Sequence, residues 1–281
     1  MAITNNNTAI ISKLTNLELS IQISLSGLSF CTLDRSTNTI TDLKVISFKK
    51  KLNPLELLDK LKETFNTEPA LQNNFNTVNV IHENNLSSLV PKSIFNEASI
   101  SDYLKFSTKI LKSDFITYDA IELNESVNVY VPYVNINNFI YEKFGTFTFN
   151  HFSTILIEQI LHIEKDATIQ KMYVNINADH FEIIIVNQTN LIFYNTFEYK
   201  TKQDFIYYLL FTIEQLNLNP EIINLIFIGN IDLKHELFTI AYKYIRFVYL
   251  GNREDNFKYK INAHPNSYHS NFTLIKSFEC A

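Results

Sequence analysis

The chain has 281 residues, 46% hydrophobic and 14% aromatic, with 24 basic against 29 acidic side chains and a formal net charge of −5. It has only 4 glycines, Gly27, Gly145, Gly229 and Gly251, and they stand far apart; this excludes a Walker loop, a Rossmann GxGxxG turn and a kinase Gly-rich lid, which need clustered glycines so that backbone N–H groups reach phosphate oxygens. The mild acidity excludes a broad basic face for nucleic acid, and the one basic run, Lys49-Lys50-Lys51, reads as a solvated strand end.

In chain order, residues 1–16 read as a loose arm with no secretory signal in its polar start. Strand-like runs follow at Leu17–Leu25, Leu28–Asp34 and Ile40–Phe48, broken at Ser26-Gly27 and at Arg35-Ser36-Thr37-Asn38 with hairpin chemistry. Asn53-Pro54-Leu55-Glu56 opens a helix, with Asn at N-cap, Pro at N1 and Glu at N3. Leu57, Leu58, Leu61 and Phe65 give it one apolar face. A strand at Thr77–His82, a helix at about Ser101–Leu111 and a strand at Phe115–Ile121 complete the first unit. A further strand is expected at Val127–Val134 and a short helix at Asn138–Phe144, closed by Gly145. Phe152–Glu164 reads as a helix from the spacing of Ile155, Leu156, Ile160 and Ile163.

The pattern then restarts. Strands are expected at Lys171–Ala178, Phe181–Asn187 and Leu191–Glu198. A capped helix runs from Thr201 to Asn217. A strand at Ile222–Ile228, a helix at Asp232–Tyr242, a strand at Arg246–Leu250 and a short tail helix around Tyr268–Ser277 follow. The halves superpose with an offset of about 153, which lays Leu19–Phe30 on Met172–Ile183. The shared order is βββαβαβ. Three antiparallel strands followed by helix-crossed parallel ones form a mixed sheet with helices on its faces. The expected fold is therefore α/β, two such units around the Phe152–Glu164 helix, with a cleft between two lobes. The expected division is an arm at 1–16, a first lobe at 17–150, and a second lobe at 151–281 that includes the linking helix and the tail.

The duplicated order resembles the ribonuclease H-like units of the actin, sugar-kinase and heat-shock-chaperone ATPase superfamily. Val129–Tyr133, Asn150–Glu158 and Tyr173–Val186 resemble a family of Bacteroidota proteins of unknown function placed in that superfamily. Actin-like proteins that dock inner-membrane pilus or secretion components are the nearest understood relatives that this resemblance implies. It also implies a nucleotide cleft built from two strand-turn-strand loops and a Gly-Gly turn. These would fall on Ser24-Leu25-Ser26-Gly27, on Asn177-Ala178-Asp179-His180, and on Ile228-Gly229-Asn230. The candidate cofactor-binding residues are thus Ser24, Ser26, Gly27, Asn177, Asp179, His180, Gly229 and Asn230. All three loops depart from the superfamily pattern. The first strand reads Ile21-Gln22-Ile23-Ser24 and lacks the acid that handles the metal through water. The second loop has no glycine, and Asp179 adds like charge.

Other chemistry is thin. Asp179-His180-Phe181-Glu182 could be an acid–base or metal cluster, or a hairpin with Asp179 capping its turn. Glu158 and His162, at i and i+4, lack a third ligand. His264 and His269 lack an acidic or Cys partner. A nuclease of this fold needs strand-end carboxylates; Gln22, Ser24, Asn175 and Asn177 stand there instead. No Gly-flanked nucleophile elbow exists. Cys31 reads as a buried thiol and Cys280 lies next to the chain end, which fits a reducing compartment. No apolar run approaches the ~20 residues of a membrane span.

The expectation is a catalytically silent, cytoplasmic adaptor or scaffold without a cofactor. Its expected partner is an unidentified protein, by a peptide or helix in a surface groove, or a second copy. The alternative is a divergent ATP-binding protein using Asn177, His180 and Asn230 with Mg-ATP, whose ATP-dependent stabilisation Gly229→Trp would abolish. A small-molecule sensor using the cleft is a third.

Overall fold

In the computed structural model, residues 15–106 and 108–279 are described. The expected arm lies almost wholly outside them, and so does Cys280. The first unit opens with an antiparallel meander, β1 (Leu17–Ile23), β2 (Gly27–Asp34) and β3 (Thr39–Ser47). Helix α1 (Pro54–Thr67) starts with the expected capping box: the Asn53 side chain accepts from the Leu55 and Glu56 N–H groups, and Glu56 accepts from the Asn53 N–H. Strand β4 (Thr77–His82) then pairs parallel with β1, Ile21 opposite Val80.

The next fifty residues differ from expectation. Ser101–Leu111 is not a helix. A 3₁₀ segment covers Glu97–Tyr103, broken at Ser99. Leu104 is buried but Phe106 and Leu111 are exposed, so no apolar stripe can pack a helix there, and packing is what sustains a short helix. Strands β5 (Ser87–Pro91), β6 (Thr117–Ile121) and β7 (Ser126–Tyr130) instead form a separate sheet of order β5-β7-β6. The first unit's second helix and last strand are α2 (Val134–Phe144) and β8 (Thr148–His151), the latter pairing parallel with β4. The sequence pattern assigns these two roles to Ser101–Leu111 and Phe115–Ile121, inside the insert, and reads Asn138–Phe144 only as an additional short helix.

Helix α3 (Phe152–Ile163) links to the second unit: β9 (Lys171–Ile176), β10 (His180–Asn187), β11 (Asn190–Glu198), α4 (Lys202–Gln215), β12 (Asn224–Gly229), α5 (Glu236–Ala241) and β13 (Phe247–Leu250). The sheet orders are β3-β2-β1-β4-β8 and β11-β10-β9-β12-β13. With the insert set aside, both units are βββαβαβ with one topology, a two-lobed α/β fold. The tail crosses back. Strand β14 (Lys258–Tyr259) extends the first sheet beside β3, and α6 (Phe272–Lys276) packs on β1, β2 and α3.

Strand periodicity sorts the side chains into layers. Leu19, Ile21 and Ile23 of β1 pack with α1 and α2, while Met172, Val174 and Ile176 of β9 pack with Phe205 and Leu209 of α4. The alternate residues face the other way. There a third core gathers Cys31, Leu33 and Ile40 of the first sheet, Tyr173, Ile184 and Ile228 of the second, α3, and Phe272, Leu274 and Ile275 of α6. Helix α3 sits inside this joint and is buried on nearly every side, as its all-round apolar sequence demands.

Candidate functional site

The same alternation that builds the joint sends Gln22 and Ser24 from the end of β1, and Asn175 and Asn177 from the end of β9, toward each other across the lobes. With Ser26, Gly27, Gly229, Asn230 and Thr273 they line a cavity of about 220 Å³. Asp179 and His180 line an adjoining one of about 70 Å³, with Glu83, Glu182 and Lys51. The structure thus places all eight sequence-selected residues around one interlobe cleft.

The backbone donors there are largely engaged within the protein. In the first turn the Ser24 N–H donates to the Gly27 carbonyl (2.9 Å), and the Ser26 and Gly27 N–H groups donate to Ser24 Oγ (3.3 and 3.1 Å). In the second the Asn177 N–H donates to the His180 carbonyl (3.0 Å), and the Tyr199 hydroxyl donates to the Asn177 carbonyl (3.0 Å). In the third the Gly229 N–H donates to the His269 carbonyl (2.9 Å) and the Asn230 N–H to the Ile176 carbonyl (2.8 Å). His269 Nε2 bonds the Ile231 carbonyl at 2.7 Å. His269 therefore braces this turn. Gly229 has φ +86°, and a Cβ there would lie 2.4 Å from the Ile176 carbonyl oxygen. Its glycine serves chain packing, so substitution at 229 tests the fold before it tests any ligand.

The cleft's charges centre on His180. Its Nδ1 lies 2.7 Å from Asp179 Oδ1. Its Nε2 lies 3.1 Å from Glu83 Oε1 and 3.2 Å from Glu182 Oε1. Burial disfavours the imidazolium, but the Glu182 charge and hydrogen bonds to Asp179, Glu182 and Glu83 outweigh it and raise the pKa far above the ordinary value. The bond from His180 in turn holds the Asp179 carboxyl below its ordinary range, against partial burial. Asn175 and Asn177 donate to Glu182 Oε2 (2.8 and 3.2 Å). Gln22 donates to Glu83 Oε2 (2.8 Å) and accepts from the Thr273 hydroxyl (2.7 Å). Glu83 and Thr273 escape sequence reasoning, which weighs His269 only as a metal ligand and not as the brace of the third turn. Glu83 had one usable signal, an acid placed just after a parallel strand.

The remaining candidates lie elsewhere. Glu158 and His162 line an open cavity of about 530 Å³ with Asp119 and Glu279. Burial, with the Asp119 and Glu122 charges, pushes the Glu158 carboxyl up to about 7. Asp119 is held by the His151 N–H and by the Thr154, Tyr130 and Asn150 side chains. Among the described residues no group of three or more His, Cys, Asp and Glu side chains is gathered as a metal site, and no helix is long and apolar enough to cross a membrane. Burial pushes the Cys31 thiol well above its ordinary pKa, which makes it unreactive.

Two βββαβαβ lobes around a cleft, joined by buried crossing segments, define an actin-like ATPase fold. A crystal structure of a Bacteroides thetaiotaomicron protein, described as having that fold and unknown function, matches at a TM-score of 0.81, with 22% identity over 97% of this chain and 99% of that one. A chain of the PilM–PilN type IV pilus biogenesis complex matches at 0.57, with 11% identity over 92% and 96%. Among curated proteins, none matches significantly. The chain belongs to the family described as "Protein of unknown function (DUF3822)", whose model matches residues 6–248.

Proposed function

We propose that this protein is a catalytically silent member of the actin-like fold and acts as a protein-binding adaptor or scaffold in the cytoplasm. The observation that carries the silent part is the state of the cleft. The N–H groups of Ser24, Ser26, Gly27, Asn177, Gly229 and Asn230 are bonded internally, and Glu83, Asp179 and Glu182 stand beside them. A polyphosphate would meet carboxylates and, at these six positions, donors already bonded, the reverse of what stabilises phosphate. The cavity of about 220 Å³ is also below the ~300–1,000 Å³ typical of pockets that enclose a drug-sized ligand. The adaptor part has the support of the PilM–PilN complex, in which a chain of this fold assembles with a partner in pilus biogenesis. The eight cleft residues are, on this reading, a nucleotide site that has been filled in, between lobes that divide near residue 150.

Isothermal titration with Mg-ATP tests the silent part; no heat of binding is expected, and micromolar or tighter binding overturns it in favour of the divergent ATP-binding reading. Affinity capture from native lysate with crosslinking tests the adaptor part. A stoichiometric protein partner is expected, and its absence together with a monomeric chain overturns it.

A further inference from the structure

Hydrophobic packing is non-directional. The interlobe joint of α3, α6 and the inner sheet faces is chiefly apolar and resists separation of the lobes, and away from the cleft the Leu191 N–H donates across them to Asn124 Oδ1 at 2.8 Å. The cleft side holds contacts of a different kind. Thr273 of the tail donates to Gln22 of β1, Gln22 donates to Glu83 after β4, and Glu83 meets His180 of β10 at 3.1 Å. His180 also meets Glu182 and Asp179, and Glu182 accepts from Asn175 of β9. This chain of hydrogen bonds runs from the tail through the first lobe into the second. Both ring nitrogens of His180 face carboxylate oxygens, and Nε2 also lies 3.1 Å from Asn177 Nδ2; with one carboxylate at Nδ1 and two at Nε2, an imidazolium with N–H on both sides pairs with the most of them. The three carboxylates exceed the one imidazolium, and the nearby cation, Lys51, leans to Glu198 at 3.4 Å in exposed surroundings. Glu83 and Glu182 are thus two mostly buried carboxylates, one from each lobe, drawn together by one shared cation.

We propose that Gln22, Glu83, His180 and Glu182 form a clasp that holds the two lobes at one angle, the imidazolium serving as a built-in cation between carboxylates of opposite lobes. The clasp makes lobe closure a property of the chain itself, with no bound ligand required. Directional bonds at the cleft mouth complement the largely apolar joint behind it, so that removing the His180 or Glu83 charge loosens the angle between the lobes.

The test uses the full chain with spin labels on cysteines at Lys50 and Lys200, both exposed and on opposite lobes, with Cys280 replaced by Ser and the buried Cys31 retained. The unsubstituted clasp should give one narrow distance distribution. His180→Ala and, separately, the isosteric Glu83→Gln should broaden it and shift it to longer distances. Wild-type distributions in both folded variants would overturn the proposal. A second measurement needs no clasp substitution: nitrogen-15 NMR of His180 at pH 7.5 should show an imidazolium with both ring nitrogens protonated, and a neutral tautomer would overturn the proposal even if the variants fail to fold. Neither result bears on the Mg-ATP titration, so the clasp and the silent reading can fail separately.

Discussion

Strands β4 and β12 hold the same place in their sheets, each parallel to the first strand of its unit, and they end at the same register: His82 opposite Ile23, and Gly229 opposite Ile176. The chemistry at the two ends is opposite. His82 is buried, its Nε2 2.9 Å from Asn137 and its Nδ1 accepting from the Tyr133 N–H. Burial outweighs the Asn137 bond and lowers its pKa to about 4, so the ring is neutral. The next residue, Glu83, carries the charge into the cleft. At the other end Gly229 lets the chain pass over Ile176 so that the tail's His269 can bond it. One topology thus accommodates a charged latch on one side and a sealed turn on the other. The strand ladder sets where the chain goes, and the partners at its end set what it can do. The histidines show the same contrast: His82 and His151 are buried without a facing carboxylate and are neutral, whereas His180 faces three and is charged.

The sharpest way to break this comparison is at the sealed end. Gly229→Ala should destabilise the protein by more than ~4 kcal/mol in urea titration, because it combines a positive φ with a backbone clash; a loss below about 1 kcal/mol would show that the turn can open. His180→Ala comes next, at about 3 kcal/mol, since it strands Glu182 and Glu83 without their cation. Wild-type stability in that variant would mean water replaces the imidazolium freely.

The two histidine classes predict opposite pH limbs. His82, at about 4, and His151, lowered to about 3 chiefly by burial and next by the His82 charge, bind fewer protons folded than unfolded. Their contribution is present above the unfolded value of about 6.5 and is lost as pH falls, at about 1.4 kcal/mol per pH unit for each. His180 has the reverse sign. Its contribution is whole below about 6.5 and declines as pH rises toward its raised folded value, again at about 1.4 kcal/mol per unit. Denaturant titrations of wild type and His180→Gln from pH 5 to 9 check this: the variant should keep the acid limb and lose the alkaline slope. The smallest effect is expected at Gly145, which has φ +76° but open space around it. Gly145→Ala should cost about 1 kcal/mol in the same assay, and a loss as large as that of Gly229→Ala would erase the distinction between strain and clash.

Much of this was legible from residue patterns. The Asn53 and Thr201 caps, the alternation in β1 and β9, and the repeat that begins β2 at 27 and β10 at 180 are local signals. They lead to the duplicated α/β reading, while the eight cleft residues follow from the resemblance to the actin-like superfamily. The insert was misread because its apolar residues, Leu104 and Phe106 among them, are spaced like a weak helix, while the pairing of Ser87–Pro91 with Ser126–Tyr130 spans almost forty residues and leaves no local trace. Strand β14 was missed for a similar reason: two residues gain their identity only from a partner more than 200 positions away.

Period, capping and turn chemistry act between neighbours in the chain, so the order of elements and the facing of each side chain were already written there. The charge state of His180, the role of Glu83 and the bracing of Gly229 by His269 depend on groups brought together from four separate segments. Electrostatic and hydrogen-bond energies fall off over a few ångströms of space and take no account of separation along the chain, which is why those features appear only once the lobes are folded against each other.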